Sequence, residues 1–185
     1  MVVTKVSDVS ELLTEARQNP QKSFPAILKL AASEDWKERE VAATLLVEAS
    51  KKRPGEIVAE MISWADHSSP NVRRTASEGL RDVARKQPEL VLPVITRLKA
   101  DSDLYVKKSV ANVLRNAGNY HPEFVFKVCA EWAKGKNADT AWVIKDALRK
   151  LRAKHPKEVA KITTAAHSTR QLALLKKSAK PMNEE

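Results

Sequence analysis

The chain is poor in the residues that many small catalytic and secreted domains depend on. Its 185 residues include one cysteine, Cys129, four glycines and only 5% aromatic residues. A single cysteine excludes an internal disulfide and removes any requirement for an oxidising compartment. With one cysteine and no His-x-x-x-His pair among the four histidines, neither a zinc site nor any other cofactor is expected. No Gly-rich phosphate loop and no Ser-His-Asp arrangement is present, so nucleotide hydrolysis and acyl transfer find no support. The N-terminal stretch from Met1 to Leu13 is broken by Asp8 and Glu11 and carries no uninterrupted apolar run. Neither a signal peptide nor a membrane span is therefore expected, and the default is a soluble, cytoplasmic protein with no membrane partner.

What the chain does have is a beat. Pro20, Pro54, Pro88, Pro122 and Pro156 stand 34 residues apart, and Leu12, Leu46, Leu80, Leu114 and Leu148 keep the same period eight residues earlier. A fixed period of this size means that each unit is one supersecondary element, which buries its apolar face only by stacking on its neighbours. The 43% hydrophobic content, with few aromatics and glycines, favours helices. Each unit starts with a capping residue in one column, Asp35, Ser69, Asp103 or Asn137, whose side-chain oxygen can take a free amide of a first helical turn. Val72, Ala76, Leu80 and Val83 in one unit, and Val106, Val110, Val113, Leu114 and Ala117 in the next, form helical apolar stripes. Each first helix is expected to end near its column proline, which opens a second helix. The inward sets of two such second helices read Leu90, Val91, Val94, Ile95 and Leu98, then Phe124, Val125, Val128, Cys129 and Trp132.

The expected architecture is all-α, a right-handed superhelical solenoid of about five helix pairs with a 34-residue period. Tetratricopeptide arrays share that period, but their Trp-x-x-Leu-Gly start is missing. The stretches Asn71 to Ala76 and Leu104 to Val110 resemble the Asp-x-x-Val-Arg-x-x-Ala word of HEAT repeats. One domain over 1–179 is expected, with a second helix from Pro156 to about Ala166, a closing helix from Thr169 to Ser178 and a loose tail over 180–185.

Lys and Arg outnumber Asp and Glu by 33 to 23, which gives a net charge of +10 and points to a polyanionic partner. The side of each first helix that the core does not use carries Glu40, Thr44 and Val47; Arg74, Glu78 and Arg81; Lys108, Asn112 and Arg115; and Trp142, Asp146 and Arg149. In register, Arg81, Arg115 and Arg149 form a ladder of roughly 20 Å at ~8–10 Å helix spacing, suited to a phosphodiester backbone. Arg73, Lys86, Lys107 and Lys154 add to its field. The competing reading is a solvated face laced by i, i+4 pairs such as Arg74 with Glu78. Trp64 and Trp132 share a column with Leu30 and Leu98 and are expected in the core. Trp36, in register with Pro70 and Leu104, is expected to be structural. Trp142 stands where the other units carry Glu40, Arg74 and Lys108, so its indole is a candidate for stacking on a base or sugar.

The words Ser63 to His67 leading into Asn71 to Gly79, Tyr105 to Asn112, and Trp142 to Arg149 resemble the AlkC/AlkD-type DNA alkylation repair proteins, with the AlkC branch the closer match over about Trp36 to Val159. The resemblance implies a HEAT-like solenoid that holds duplex DNA on a concave basic face and excises N3- or N7-alkylated purines by hydrolysing the glycosidic bond. It implies that Glu78 stabilises positive charge on the sugar or orients water, and that Trp142 lies against the lesion nucleotide. Asp146 is a second acidic candidate by position. Arg73, Arg74, Arg81, Lys108, Arg115, Lys145 and Arg149 are the implied phosphate contacts. After Ser77-Glu78-Gly79 the AlkC branch continues Thr-Arg-Pro-Arg-Leu-Pro-Trp, whereas this chain reads Leu80-Arg81-Asp82-Val83-Ala84-Arg85-Lys86. Groove binding is thus implied more clearly than catalysis, and the protein is expected to be a monomer. The alternative from another class is a non-catalytic HEAT scaffold whose basic concave face receives an acidic protein. An RNA-binding repeat protein is third, since no column pattern suggests one base read per repeat.

Overall fold

The computed structural model describes residues 6–135 and 137–166, and the described chain is helical throughout, without strands. The order is α1 (Val6–Gln18), α2 (Pro20–Ala31), α3 (Trp36–Ser50), α4 (Pro54–Trp64), α5 (Pro70–Glu78), α6 (Arg81–Lys86), α7 (Pro88–Leu98), α8 (Leu104–Gly118), α9 (Pro122–Ala133) and α10 (Ala138–Leu148). A last helical stretch, α11, covers 156–166. The expected closing helix over 169–178 and the tail over 180–185 lie outside the described residues.

Each column proline opens a second helix, where its missing N–H costs nothing because first-turn amides have no intrahelical acceptor. Asp35, Asp103 and Asn137 cap as expected, accepting from the amides of Lys37, of Tyr105 and Val106, and of Thr140. Ser69 does not: its side chain makes no cap bond, and its own amide donates to His67 Nδ1 at 3.0 Å. The first helices α1, α3, α5, α8 and α10 stack in a row, each backed by its second helix, and one continuous core runs between the two layers. The leucine column is that core's spine, with Leu46, Leu80, Leu114 and Leu148 sealed and Leu12 nearly so. Trp64 and Trp132 are buried, as their column requires, and the Trp64 indole N–H donates to Glu60 at 2.8 Å.

Two further expectations fail in instructive ways, at Gly79 and at Leu90. The first helix of the third unit does not run to its proline but breaks at Gly79 and Leu80 into α5 and α6. Gly79, at the end of α5, lies tight against α3, since a Cβ there would lie 2.7 Å from Leu46 Cβ. Leu90, placed inward, is 37% exposed, because it falls on the first turn of α7 in the column of Lys22, Glu56 and Glu158. Trp36 is 64% exposed and walls an apolar cleft with Val9, Leu13, Val41 and Leu45 rather than filling the core.

Candidate nucleic-acid interface

The row of first helices presents the expected surface, and its members are bound to one another across the repeats. Arg74 Nε donates to Glu78 at 3.0 Å, one turn along α5. Arg81 reaches back to Glu40 of α3 at 3.9 Å. Arg115 of α8 donates to both the carboxylate and the carbonyl of Asp146 on α10, at 2.6 and 3.2 Å, and Arg149 approaches the other oxygen of the same carboxylate at 3.3 Å. The ladder is therefore a mesh of cations and carboxylates, as the laced-face reading anticipated for Arg74 and Glu78. The Arg115 side chain is only 10% exposed and that of Arg149 is 59% exposed, so the rungs differ greatly in how freely they meet an incoming phosphate. Lys108 is exposed and makes no ion pair among the described residues; its ammonium lies 5.1 Å from the centre of the Tyr105 ring.

Glu78 is held in place by its neighbours. Ser77, fully buried, shares a short hydrogen bond at 2.5 Å with the buried Ser109 hydroxyl of α8. Gly79 lies against Leu46 of α3. The word Ser77-Glu78-Gly79 thus places a carboxylate between two helix contacts, each of which needs a small residue. Glu78 and Asp146 sit two units apart with Asn112 in the unit between, so they do not form a carboxylate pair.

Trp142 is half-buried, packed against the core at one edge, with the Lys107 ammonium 5.8 Å from its ring centre. Lys107 is itself bound to Asp139 at 2.6 Å. The indole is thus partly occupied by the protein's own cation.

Arg73 and Lys145 stand apart from this face. Arg73 forms a two-pronged pair with Asp101, at 2.6 and 3.1 Å, and donates to the carbonyls of His67 and Ser68. Arg39 makes the equivalent bonds to Ser33 and Glu34, so in two successive units this column clamps the turn before the first helix. Burial, the largest single influence, pushes the Asp101 carboxyl up, but Arg73, the Asp103 amide and the Lys107 charge together outweigh it and hold the group below its ordinary value; Asp101 in turn raises the Arg73 guanidinium. Lys145 is exposed, but it occupies the column in which Ala43, Ser77 and Ala111 are buried.

Sequence reasoning did not single out Tyr105. The residue is 59% exposed, and both Lys108 and the Arg74 guanidinium lie over its ring, the latter 5.8 Å from its centre. The signal was present, because Tyr105 falls one turn before Lys108 in a column otherwise filled by Lys37, Asn71 and Asp139.

A stack of antiparallel helix pairs that share one core defines the class: a HEAT-type α-solenoid. The family model for HEAT repeats matches residues 24–115. Among solved structures, the Pseudomonas fluorescens alkylpurine DNA glycosylase AlkC, bound to DNA containing an abasic site analog, is similar at a TM-score of 0.70 and 27% identity, over 83% of this chain and 44% of that one. AlkD2 from Streptococcus mutans is similar at a TM-score of 0.65 and 25% identity, over 77% of this chain and 70% of its own. No curated protein sequence matches the chain. The chain is similar in fold and sequence to the HEAT-like repeat proteins of the AlkC/AlkD superfamily, and it spans less than half the length of the AlkC that it resembles.

Proposed function

We infer that the protein binds duplex DNA along the outer side of its first-helix row, with excision of alkylated purines as the activity to test on it. The observation that carries this reading is the likeness of 83% of the chain to a DNA-bound alkylpurine glycosylase, at 27% identity. Charge supports it: in the row of Arg74, Arg81, Lys108, Arg115 and Arg149, only Lys108 lacks an acidic partner, yet cations still outnumber Glu40, Glu78 and Asp146. Phosphates would be met first by Lys108, Arg149 and Arg81, the more exposed or loosely paired cations. Arg115 and Arg73 serve mainly to hold the helices and turns in place. For excision, Glu78 is the candidate that would stabilise positive charge on the sugar, and it would have to exchange Arg74 for that charge. Trp142 would border the lesion nucleotide from α10, and Asp146 is second to Glu78 because two arginines already hold it.

The prior commitment of both carboxylates to arginines favours one further reading, a non-catalytic binding protein whose basic face takes an acidic polypeptide. Two measurements separate these. Duplex binding that weakens log-linearly with salt, with Lys108→Ala and Arg149→Ala each lowering the slope by about 0.9 and Arg115→Ala changing it less, supports the DNA face; absent or salt-insensitive binding, with tight binding to polyglutamate, refutes it. Incubation with a duplex containing 7-methylguanine then tests excision. Free base released above the protein-free rate, and lost in Glu78→Gln, is the expected mark of catalysis. No release leaves a binding protein, and release that survives both Glu78→Gln and Trp142→Ala refutes the site.

A further inference from the structure

We propose that Tyr105, which carries Arg74 and Lys108 over its ring, is a stacking seat for one unpaired nucleotide of bound DNA. This rests on the reading of the first-helix row as a DNA face and specifies what part of the DNA its centre recognises. The ring is 59% exposed at the start of α8, and the adjoining Leu104 is 44% exposed, so the core uses little of either. Trp36 and Tyr120 are exposed to a similar degree, but among the described residues Tyr105 is the one exposed aromatic with cations from two helices over its ring. The residues around it define the ligand. Lys108 lies 5.1 Å from the ring centre and Arg74 lies 5.8 Å from it, on two different helices. Glu78 engages Arg74 through Nε, which leaves the terminal nitrogens of that guanidinium for an anion.

A flat π surface with two cations over it, which can turn from the ring to a phosphate as a base arrives, matches a nucleotide, which carries a flat base and an anionic phosphate within one unit. An acidic side chain would use the two cations and leave the ring idle. In a paired duplex the base faces are covered by stacking, so the ring's complement is a base outside the stack: an extrahelical, mismatched or single-stranded nucleotide. Arg74 also links this seat to Glu78 directly, so a base on Tyr105 would place its sugar and phosphate near the carboxylate.

The test uses the full chain and two labelled duplexes of equal charge, one fully paired and one with a single extrahelical nucleotide. The wild type is expected to bind the second more tightly. Tyr105→Ala should lose roughly 5- to 150-fold in affinity for the extrahelical duplex, abolish the preference and leave the salt slope unchanged. Tyr105→Phe should retain the preference, and Lys108→Ala should lower the salt slope for both duplexes. Because the side chain is exposed, unchanged thermal melting of Tyr105→Ala is expected and serves as the folding control. Equal wild-type affinity for the two duplexes overturns the seat while leaving the DNA face intact, as does a Tyr105→Ala protein that keeps the preference. Equal loss in Tyr105→Phe and Tyr105→Ala assigns the effect to the phenol hydroxyl and also overturns stacking. Failure of the wild type to bind either duplex refutes the seat and the DNA face together.

Discussion

Replacing Gly79 by alanine tests the packing that positions Glu78. The backbone itself would accept the change, since Gly79 has φ −62° and ψ −15°, ordinary helical values. Helix propensity alone would make alanine favourable by up to ~1 kcal/mol. Sterics oppose it. The new methyl would lie 2.7 Å from Leu46 Cβ and 2.9 Å from its Cδ1, against the ~3.5–4.0 Å at which carbon atoms attract. Rotating Leu46 relieves the Cδ1 contact but not the Cβ contact, because Cβ is fixed to the α3 backbone. Helices α3 and α5 must therefore separate by close to 1 Å, at the ~1–3 kcal/mol typical of overpacking. Net destabilisation of ~1–2 kcal/mol is expected, which lowers Tm by roughly 2–8 °C in a chain of this size. Gly55 supplies the control, since nothing lies within 4 Å of a Cβ placed there. Thermal melts followed by far-UV circular dichroism should show Gly55→Ala unchanged or raised and Gly79→Ala lowered. If Gly79→Ala melts at or above the wild-type temperature, or moves with Gly55→Ala, then the close approach is not a real constraint and the account of how Glu78 is positioned fails with it.

Asp146→Asn should lower stability in urea by about 1.5–3 kcal/mol, because it leaves the 10%-exposed Arg115 without its carboxylate; a loss below ~0.5 kcal/mol would show that the pair contributes little. Asp101 ionises in the fold below its ordinary value near 3.8. Its contribution is therefore complete above that pH and is lost as pH falls through the lower folded value. The stability gap between the wild type and Asp101→Asn should accordingly be widest near neutrality and close as pH falls below the ordinary carboxylate value; a gap independent of pH would contradict the Arg73 pairing. Burial pushes the Cys129 thiol up to about 12. A disulfide reagent at neutral pH should leave the native protein unlabelled and modify it quantitatively in denaturant, and rapid native labelling would show that α9 is not packed as described.

The period made the scaffold readable because stacking ties each column to one environment. Used as a whole, the columns placed Trp64 and Trp132 correctly in the core. Read one helix at a time they misled, as at Leu90, whose column holds the charged Lys22, Glu56 and Glu158 beside the half-buried Phe124 and so varies from unit to unit. The charge pairing was harder to see, since the strongest pairs join neighbouring repeats. Arg17 meets Glu48 and Arg115 meets Asp146 across 31 residues, while Lys107 meets Asp139 across 32. These offsets are close to one period less two or three residues, the shift between facing positions on adjacent first helices. Searching the sequence at that offset would have found them. The search for i, i+4 partners within a helix finds Arg74 with Glu78 but none of these pairs between repeats. For the same reason the arginine ladder looked uniform in sequence, while in space Arg115 is consumed by Asp146 and Arg149 is left largely in solvent.

That difference in commitment ranks the two acidic candidates. Glu78 is fixed in position by contacts of the residues on either side of it, the Ser77 hydroxyl bond to Ser109 and the close approach of Gly79 to Leu46. Its only ion-pair partner among the described residues is Arg74 on its own helix. Pairs of that type stabilise a helix by ~0.2–0.5 kcal/mol, so a competing cation can replace the guanidinium without disturbing the fold. Asp146 is the reverse case, since its carboxylate holds α8 to α10 through the mostly buried Arg115, and releasing it uncouples two repeats. A carboxylate that is rigidly placed but loosely paired can serve a positive charge that appears during a reaction. A carboxylate that is itself part of the scaffold cannot do so without weakening the stack that presents it.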